Sequence, residues 1–475
     1  MKKSCSIFCT YMAHSPLFVT IHSIATMIVC ALALYLLCAA KSIVWPPEPR
    51  ALSRSEMAQL DNLLNQRYPE RLQLLSPLPY PTVPAELELY AKSAIIIDTA
   101  TGSILFEKNA DEPIPPASLT KLVEMYVVFE AVQNGEASLD DMVPLPPESW
   151  SVNLPGDASR MFLGKNEQTT LRELLLGLAI ASGNDASIAV AHYISGTMED
   201  FVARMNAVVS SLGLKNTHFV ESSGYSELNT TTARDFAAFS RAYLNRFPDS
   251  LEQFHAQKKI SYPLEHNLPE TQKHLGDTKA VTQYNTNRLL GVLPGCDGLK
   301  TGYIDESGYN LALTAERYGT RFLSVTLRGP GNNSQEGNRY RLADGTTLME
   351  FAFHSFADYR APTGERAHRF TVGLAGAAEK SVKLVPALSE ALTVPFIASD
   401  SPGGAAASVR VTAHIPSCIY GAVEQGTVYG TLTFSLAGTE LRTIPLVAER
   451  TVPQANMFSQ MAGKLLALCI EQARG

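Results

Sequence analysis

Ser118 and Lys121 stand three residues apart at the head of the apolar run Leu122-Val123-Glu124-Met125-Tyr126-Val127-Val128-Phe129. On a helix that spacing puts both side chains on one face, so the amine can reach the hydroxyl. Pro115 and Pro116 stop a helix upstream and suit its start, which predicts Ser118 in or beside the first turn. There the unpaired backbone N–H groups and the positive end of the helix dipole favour a developing oxyanion. A lysine on the apolar face has its charged form disfavoured, and a neutral amine can take the proton from serine. The chemistry this allows is a serine nucleophile with a lysine base. A helix-capping serine and a solvated lysine carry the same letters, so the only S-x-x-K of the chain needs company.

That company comes downstream. Lys300-Thr301-Gly302 follows the turn Pro294-Gly295-Cys296-Asp297-Gly298 and precedes the strand-like Asn310-Leu311-Ala312-Leu313-Thr314-Ala315. On a strand edge the triplet offers an ammonium, a hydroxyl and a glycine that lets a substrate backbone come close. A third element, S-x-N, occurs at Ser151-Val152-Asn153 and at Ser182-Gly183-Asn184. The first lies in a loop marked by Pro146, Pro147 and Pro155. The second ends the apolar run Leu174–Ala181, where a helix stops and can present its loop to a cleft; we take Ser182.

S-x-x-K, S-x-N and K-T-G in this order resemble the boxes shared by penicillin-binding proteins and class A β-lactamases. The chain is similar to the D-alanyl-D-alanine carboxypeptidases, the low-molecular-mass penicillin-binding proteins. The likeness extends to Ala94-Ile95-Ile96-Ile97-Asp98, Gly102-Ser103-Ile104-Leu105-Phe106, Asn109-Ala110-Asp111 and Leu212-Gly213-Leu214-Lys215-Asn216-Thr217-His218. Thr232-Ala233-Arg234-Asp235 and Ser307-Gly308-Tyr309-Asn310-Leu311 belong to it too, and together they cover about residues 86–360.

The elements that must hold these boxes follow from periodicity. Strands are expected near 93–98, 103–108, 298–304, 309–316 and 321–327, and helices near 118–133, 171–181, 186–194, 199–212 and 232–244. The fold class is α+β: a β-lactamase/transpeptidase-like domain over 86–360, with a mainly antiparallel sheet, helices on its faces and a helical insertion. The nucleophile then lies between a helical region carrying Ser182 and Asn184 and a sheet edge carrying Lys300. After Ala361-Pro362-Thr363-Gly364 the pattern turns to short alternating runs at 370–372, 381–385, 409–413 and 430–434, separated by turns such as Ser401-Pro402-Gly403-Gly404. Residues 361–450 read as a small all-β domain, similar to the C-terminal β domain of the same carboxypeptidases.

Residues 1–40 hold Lys2, Lys3 and an apolar segment from Leu17 to Ala40, long enough to span a bilayer, with a small-residue cleavage site possible at Cys38-Ala39-Ala40. A cleaved signal and an uncleaved anchor both stay open; either way the bulk of the chain is expected to be exported, on the outer face of the cytoplasmic membrane. Residues 41–85 form a Pro-rich connector interrupted by a short helix with Met57, Leu60, Leu63 and Leu64. Residues 451–475 form an amphipathic helix with Phe458, Met461, Leu465, Leu468 and Cys469 on one stripe, suited to a membrane surface or to packing on the β domain.

The chain has 475 residues, 45% hydrophobic and 18% charged, enough for two globular domains; a net charge of -7 gives no sign of nucleic-acid binding. Of its seven cysteines four lie in the N-terminal segment and three are scattered, so no disulfide framework is visible. No metal-ligand spacing or phosphate-cradling loop is present, and neither metal nor cofactor is expected.

The resemblance implies acyl transfer. Ser118 attacks the bond between two terminal D-alanines of a peptidoglycan stem peptide, with Lys121 as base. Backbone N–H groups of Ser118 and Tyr303 form the oxyanion hole. Ser182 and Lys300 pass a proton to the departing D-alanine, Asn184 holds the acyl-chain amide, Lys300 and Thr301 bind the terminal carboxylate, and Gly302 lets the substrate backbone come close. β-Lactam antibiotics would acylate the same serine. The family's arginine after the strand that follows K-T-G has its counterpart expected near Arg328. A DD-endopeptidase or transpeptidase would use the same boxes, as would a β-lactamase; an inactive wall-binding protein is the reading from another class. Against the β-lactamase, Tyr225-Ser226-Glu227-Leu228-Asn229 has a tyrosine where those enzymes carry the water-activating glutamate of E-x-x-L-N.

Overall fold

A computed structural model describes residues 16–273, 280–361, 368–396 and 408–472. Lys2, Lys3, Cys5, Cys9 and the turns at 362–364 and 401–404 lie outside them. The chain divides into two units, one of Gln73–Arg360 with Ala391–Ser408, the other of Met1–Leu72, Ala361–Glu390 and Val409–Gly475.

In the first unit six strands form a sheet in the order Ser76–Pro77, Ser103–Lys108, Ser93–Asp98, Thr320–Gly329, Gly308–Arg317, Cys296–Ile304. All neighbours are antiparallel except the outermost short pair. Ser93–Asp98 is buried along its whole length, which is why it reads as an unbroken apolar run. Alternation along it serves two cores. Ala94 and Ile96 join Leu311, Leu313, Phe322, Leu348 and Met349 on one face. Ile95 and Ile97 join Leu323, Val325, Leu122 and Phe236 on the other. Ile95, Ile96 and Ile97 are fully buried, each contributing about 1.5–3 kcal/mol.

The helices that flank the site are Thr120–Gln133, Leu171–Leu176, Asn184–Ser195, Met198–Ser211 and Ala233–Arg246, all within two residues of the expected starts. Side chains of Thr170, Thr197 and Thr232 cap three of them, accepting from Glu173, Asp200 and Asp235 backbone N–H groups. The segment expected as one helix over 171–181 instead turns at Leu176 into a wider π-type turn, Gly177–Ala181. One long helix, Ser334–Ser355, was not anticipated. Gly337 and Gly345 lower its helix propensity, yet both are needed for packing. A Cβ on Gly337 would sit 2.0 Å from the Tyr309 ring, and one on Gly345 would sit 3.0 Å from Leu311 and Leu313.

The second unit contains another six-stranded sheet, in the order Arg410–His414, Val428–Leu436, Thr439–Ala448, Ser381–Pro386, Phe370–Ala375, Cys418–Tyr420. The helix Arg54–Arg67 packs on it through Leu60 and Leu64 against Ala387 and Val447. The helix Met457–Gln472 turns Leu466 inward against Ile43 and Ala375. Its stripe residues Phe458, Met461 and Leu465 stay exposed, Phe458 at 81%; the side chains of Leu468 and Cys469 lie outside the described residues. The N-terminal helix Pro16–Val44 includes Ser23–Ile43, 21 residues with a mean hydropathy of 2.3, long and apolar enough to cross a membrane.

Candidate active site

Ser118 lies in a short 3-10 turn, Ala117–Leu119, that leads directly into the Thr120–Gln133 helix. Asn310 on the sheet pins this turn, its side-chain amide donating to the carbonyls of Pro115 and Pro116 at 3.0 and 3.1 Å. Lys121 follows on the helix, fully buried. Its Nζ donates to Ser118 Oγ at 3.2 Å, to Asn184 Oδ1 at 2.8 Å and to the Ser223 carbonyl at 2.5 Å. Burial brings its pKa down to about 8, against the opposing charges of Glu124, Glu221 and Asp185. An amine so held is a base near neutral pH and keeps a lone pair in reach of the serine proton.

Ser182 ends the π-type turn with a left-handed backbone, φ 59°; such turns often mark functional sites. Gly183 is extended and Asn184 opens the next helix, so a helix junction carries both side chains into the site. Lys300 is also buried and donates from Nζ to Ser182 Oγ at 2.9 Å and to the Thr301 carbonyl at 2.9 Å. Its pKa is driven well down, first by burial and then by the charges of Lys121 and Arg341. The strand that holds it is the sheet edge, in register Lys300 to Ala312 and Gly302 to Asn310. Two glycines allow this crowding. A Cβ on Gly302 would be 2.8 Å from the Pro116 carbonyl and 3.1 Å from the Ser118 nitrogen. On Gly224, at φ 78°, it would be 1.9 Å from the Ala117 carbonyl oxygen. Thr301 Oγ1 donates to Thr286 Oγ1 at 2.7 Å. The Tyr303 ring packs against that of Tyr309, centroids 4.4 Å apart and tilted by 34°, and its hydroxyl donates to Asp305 at 2.6 Å.

The sequence-predicted residues thus come together as two hydrogen-bonded groups, Ser118 with Lys121 and Asn184, and Ser182 with Lys300, with Thr301, Gly302 and Tyr303 on the strand that carries Lys300. The other S-x-N does not join it. Ser151 Oγ donates to Asp185 at 2.6 Å and Asn153 donates to Pro147, both holding the loop beside the site. Asp185 holds the same loop by accepting from the N–H groups of Met161, Phe162 and Leu163.

Arg328, expected near the carboxylate site, instead pairs with Glu112 at 3.3 Å; a bulge between Thr326 and Gly329 turns its backbone to φ 57°. Sequence reasoning missed Arg341. It is buried, donates to the Gly302 carbonyl at 3.4 Å and has an unpaired Nε. Burial lowers its pKa to about 10. It rides on the Ser334–Ser355 helix, so without that helix no signal pointed to it. His255, also unforeseen, lies near Lys300; burial holds its pKa at about 3, with Lys300 acting in the same direction, so it adds no charge there. Tyr225 donates to Asp157 at 3.0 Å. Glu221 accepts from the backbone N–H groups of Ser223, Gly224 and Ser226 and from the Asn229 amide, and is committed to its loop.

A serine, a buried lysine at its Oγ and a second lysine–serine pair across a sheet edge define a nucleophilic acyl-transfer site. Residues 81–331 match the peptidase S11 family, D-alanyl-D-alanine carboxypeptidase. The D-alanyl-D-alanine carboxypeptidase DacF of Bacillus subtilis (strain 168) is 30% identical over 79% of this chain and 89% of its own. DacC of Escherichia coli (strain K12) is 30% identical over 78% and 86%. Among solved structures, penicillin binding protein 5 of Haemophilus influenzae superposes with a TM-score of 0.64 at 27% identity, covering 78% of this chain and 99% of that one. The chain belongs to the D-alanyl-D-alanine carboxypeptidase family of serine peptidases.

Proposed function

We propose that Ser118 is the nucleophile of this carboxypeptidase and that Lys121 is its base. The observation that carries this is the buried Lys121 Nζ, 3.2 Å from Ser118 Oγ in the only S-x-x-K of the chain. Lys121 takes the Ser118 proton as Oγ attacks the carbonyl between two terminal D-alanines of a peptidoglycan stem peptide. The backbone N–H groups of Ser118 and Tyr303 receive the developing oxyanion. Ser182, hydrogen-bonded to Lys300, relays a proton to the departing D-alanine, and Asn184 holds the acyl-chain amide. Lys300, Thr301 and Arg341 bind the terminal carboxylate, since two buried cations beside one strand attract an anion. Gly302 lets the peptide backbone approach. Water then releases the shortened peptide.

β-Lactam antibiotics would acylate Ser118 in the same way. Glu221 is spent on its own loop and Tyr225 on Asp157, so a carboxylate ready to activate water against such an adduct is not supplied there. Intact-protein mass spectrometry is expected to find a one-to-one penicillin adduct that outlasts a catalytic turnover many-fold. Rapid loss of the adduct with many equivalents hydrolysed would instead fit a β-lactamase.

We further propose an exported enzyme held at the outer face of the cytoplasmic membrane, with residues 86–360 as the catalytic domain and 361–450 as its spacer or docking domain. The apolar Ser23–Ile43 helix and the exposed Phe458, Met461 and Leu465 support the location. With 17–40 and 457–475 both deleted, the protein should leave the membrane fraction and keep its activity on small peptides; sedimentation with membranes would contradict this.

A further inference from the structure

Glu124 lies one turn along the helix from Lys121 and is fully buried. Neither of its carboxyl oxygens has a hydrogen-bond partner. Ser187 faces it and favours its charged form, while the Ser187 Oγ is also paired at 2.7 Å with Ser222 Oγ. The helix positions around it, Leu122, Val123, Met125, Val127 and Val128, are all buried and apolar, so packing alone would be served better by another apolar residue. A carboxyl group left unpaired in such a place costs stability. Its charged neighbours are Lys121 on its own helix and Glu221 on the facing loop. Lys121 in turn faces Glu124, Glu221, Asp185 and, across the site, Lys300.

The three carboxylates around Lys121 are not equivalent. Glu221 and Asp185 each accept several backbone N–H groups and are committed to the loops they hold. Glu124 has no such commitment, and its ionisation is free to follow that of the lysine. We propose that Glu124 is a positioning residue for the reaction: its carboxylate sets the acidity at which Lys121 becomes the free amine that accepts the Ser118 proton. This rests on the reading of Lys121 as the base. In the acylation step the Ser118 Oγ–H bond breaks, its proton goes to Lys121 Nζ, the Oγ–C bond forms and the carbonyl π pair moves onto oxygen. The ammonium so formed is stabilised by the carboxylate of Glu124. Burial raises the pKa of Glu124, with Lys121 opposing, and lowers that of Lys121, with Glu124 the largest opposing charge. The two therefore titrate as a pair.

An ionised Glu124 favours the ammonium, so removing it frees the amine at lower pH. The rate of Ser118 acylation by penicillin, measured from pH 5.5 to 10 in the full chain, is expected to rise with pH near 8. In Glu124→Gln and Glu124→Leu the rise should move down by on the order of one pH unit. Over the pH range in which Glu124 is ionised in the wild type, both variants would then acylate up to about tenfold faster at equal pH. The two replacements differ in polarity, so a folding failure of one leaves the other to decide. A rise that stays in place in both variants, with a uniformly lower rate, overturns the proposal alone. A wild-type profile with no rise removes the lysine base, and the proposal with it.

Discussion

Ser118→Ala is expected to lower D-alanine release by about 10⁴-fold or more. The loss is large because no other hydroxyl in the cluster has the same support. Ser182 Oγ accepts from Lys300, but it is not on the turn whose N–H groups face the sheet edge. Ser118 alone combines the Lys121 contact with a backbone nitrogen lying beside Gly302. Alanine fits the 3-10 turn without strain on the Pro115 and Pro116 carbonyls that Asn310 holds, so the variant should stay folded. Covalent labelling by penicillin should vanish with the activity. Stoichiometric labelling of the variant at another residue would refute the assignment.

Lys121→Ala is expected to slow acylation by about 10²–10⁴-fold, the usual worth of a positioned base. The pH profile carries more information than the rate. With the lysine pKa near 8, the ammonium dominates below that pH and cannot accept a proton, while the free amine dominates above it. Wild-type acylation should therefore rise through pH 8, and the variant should lose that rise. The change also strips Asn184 Oδ1 and the Ser223 carbonyl of their donor, so part of the fall will reflect a looser site. A variant that is slow but keeps the rise would assign the titration to another group.

Much of this arrangement was legible in the letters. Ser93–Asp98 and Ser103–Lys108 have the bounds expected from their apolar runs. The choice of Ser182 over Ser151 followed from where a helix must stop. What escaped was set by packing between distant segments. The Ser334–Ser355 helix contains Gly337, Gly345 and two adjacent threonines, and local propensity gives no reason to expect it. Its glycines make sense only against Tyr309, Leu311 and Leu313, which are distant in sequence. Arg341 was lost with it, and the bulge beside Arg328, which pairs with Glu112, cannot be read from a strand pattern. Glu124 gives no signal in the sequence, since a single acidic residue at a helical position usually faces solvent. Only its burial next to Lys121 gives it meaning.

The central claim is that this chain removes one D-alanine from a peptide ending in D-Ala-D-Ala through Ser118. The most direct measurement incubates the purified protein with a stem pentapeptide and follows peptide and free D-alanine together. The account predicts a tetrapeptide and one equivalent of D-alanine, at a rate that Ser118→Ala abolishes. Unchanged pentapeptide with folded wild-type protein, or release that persists in Ser118→Ala, would contradict it.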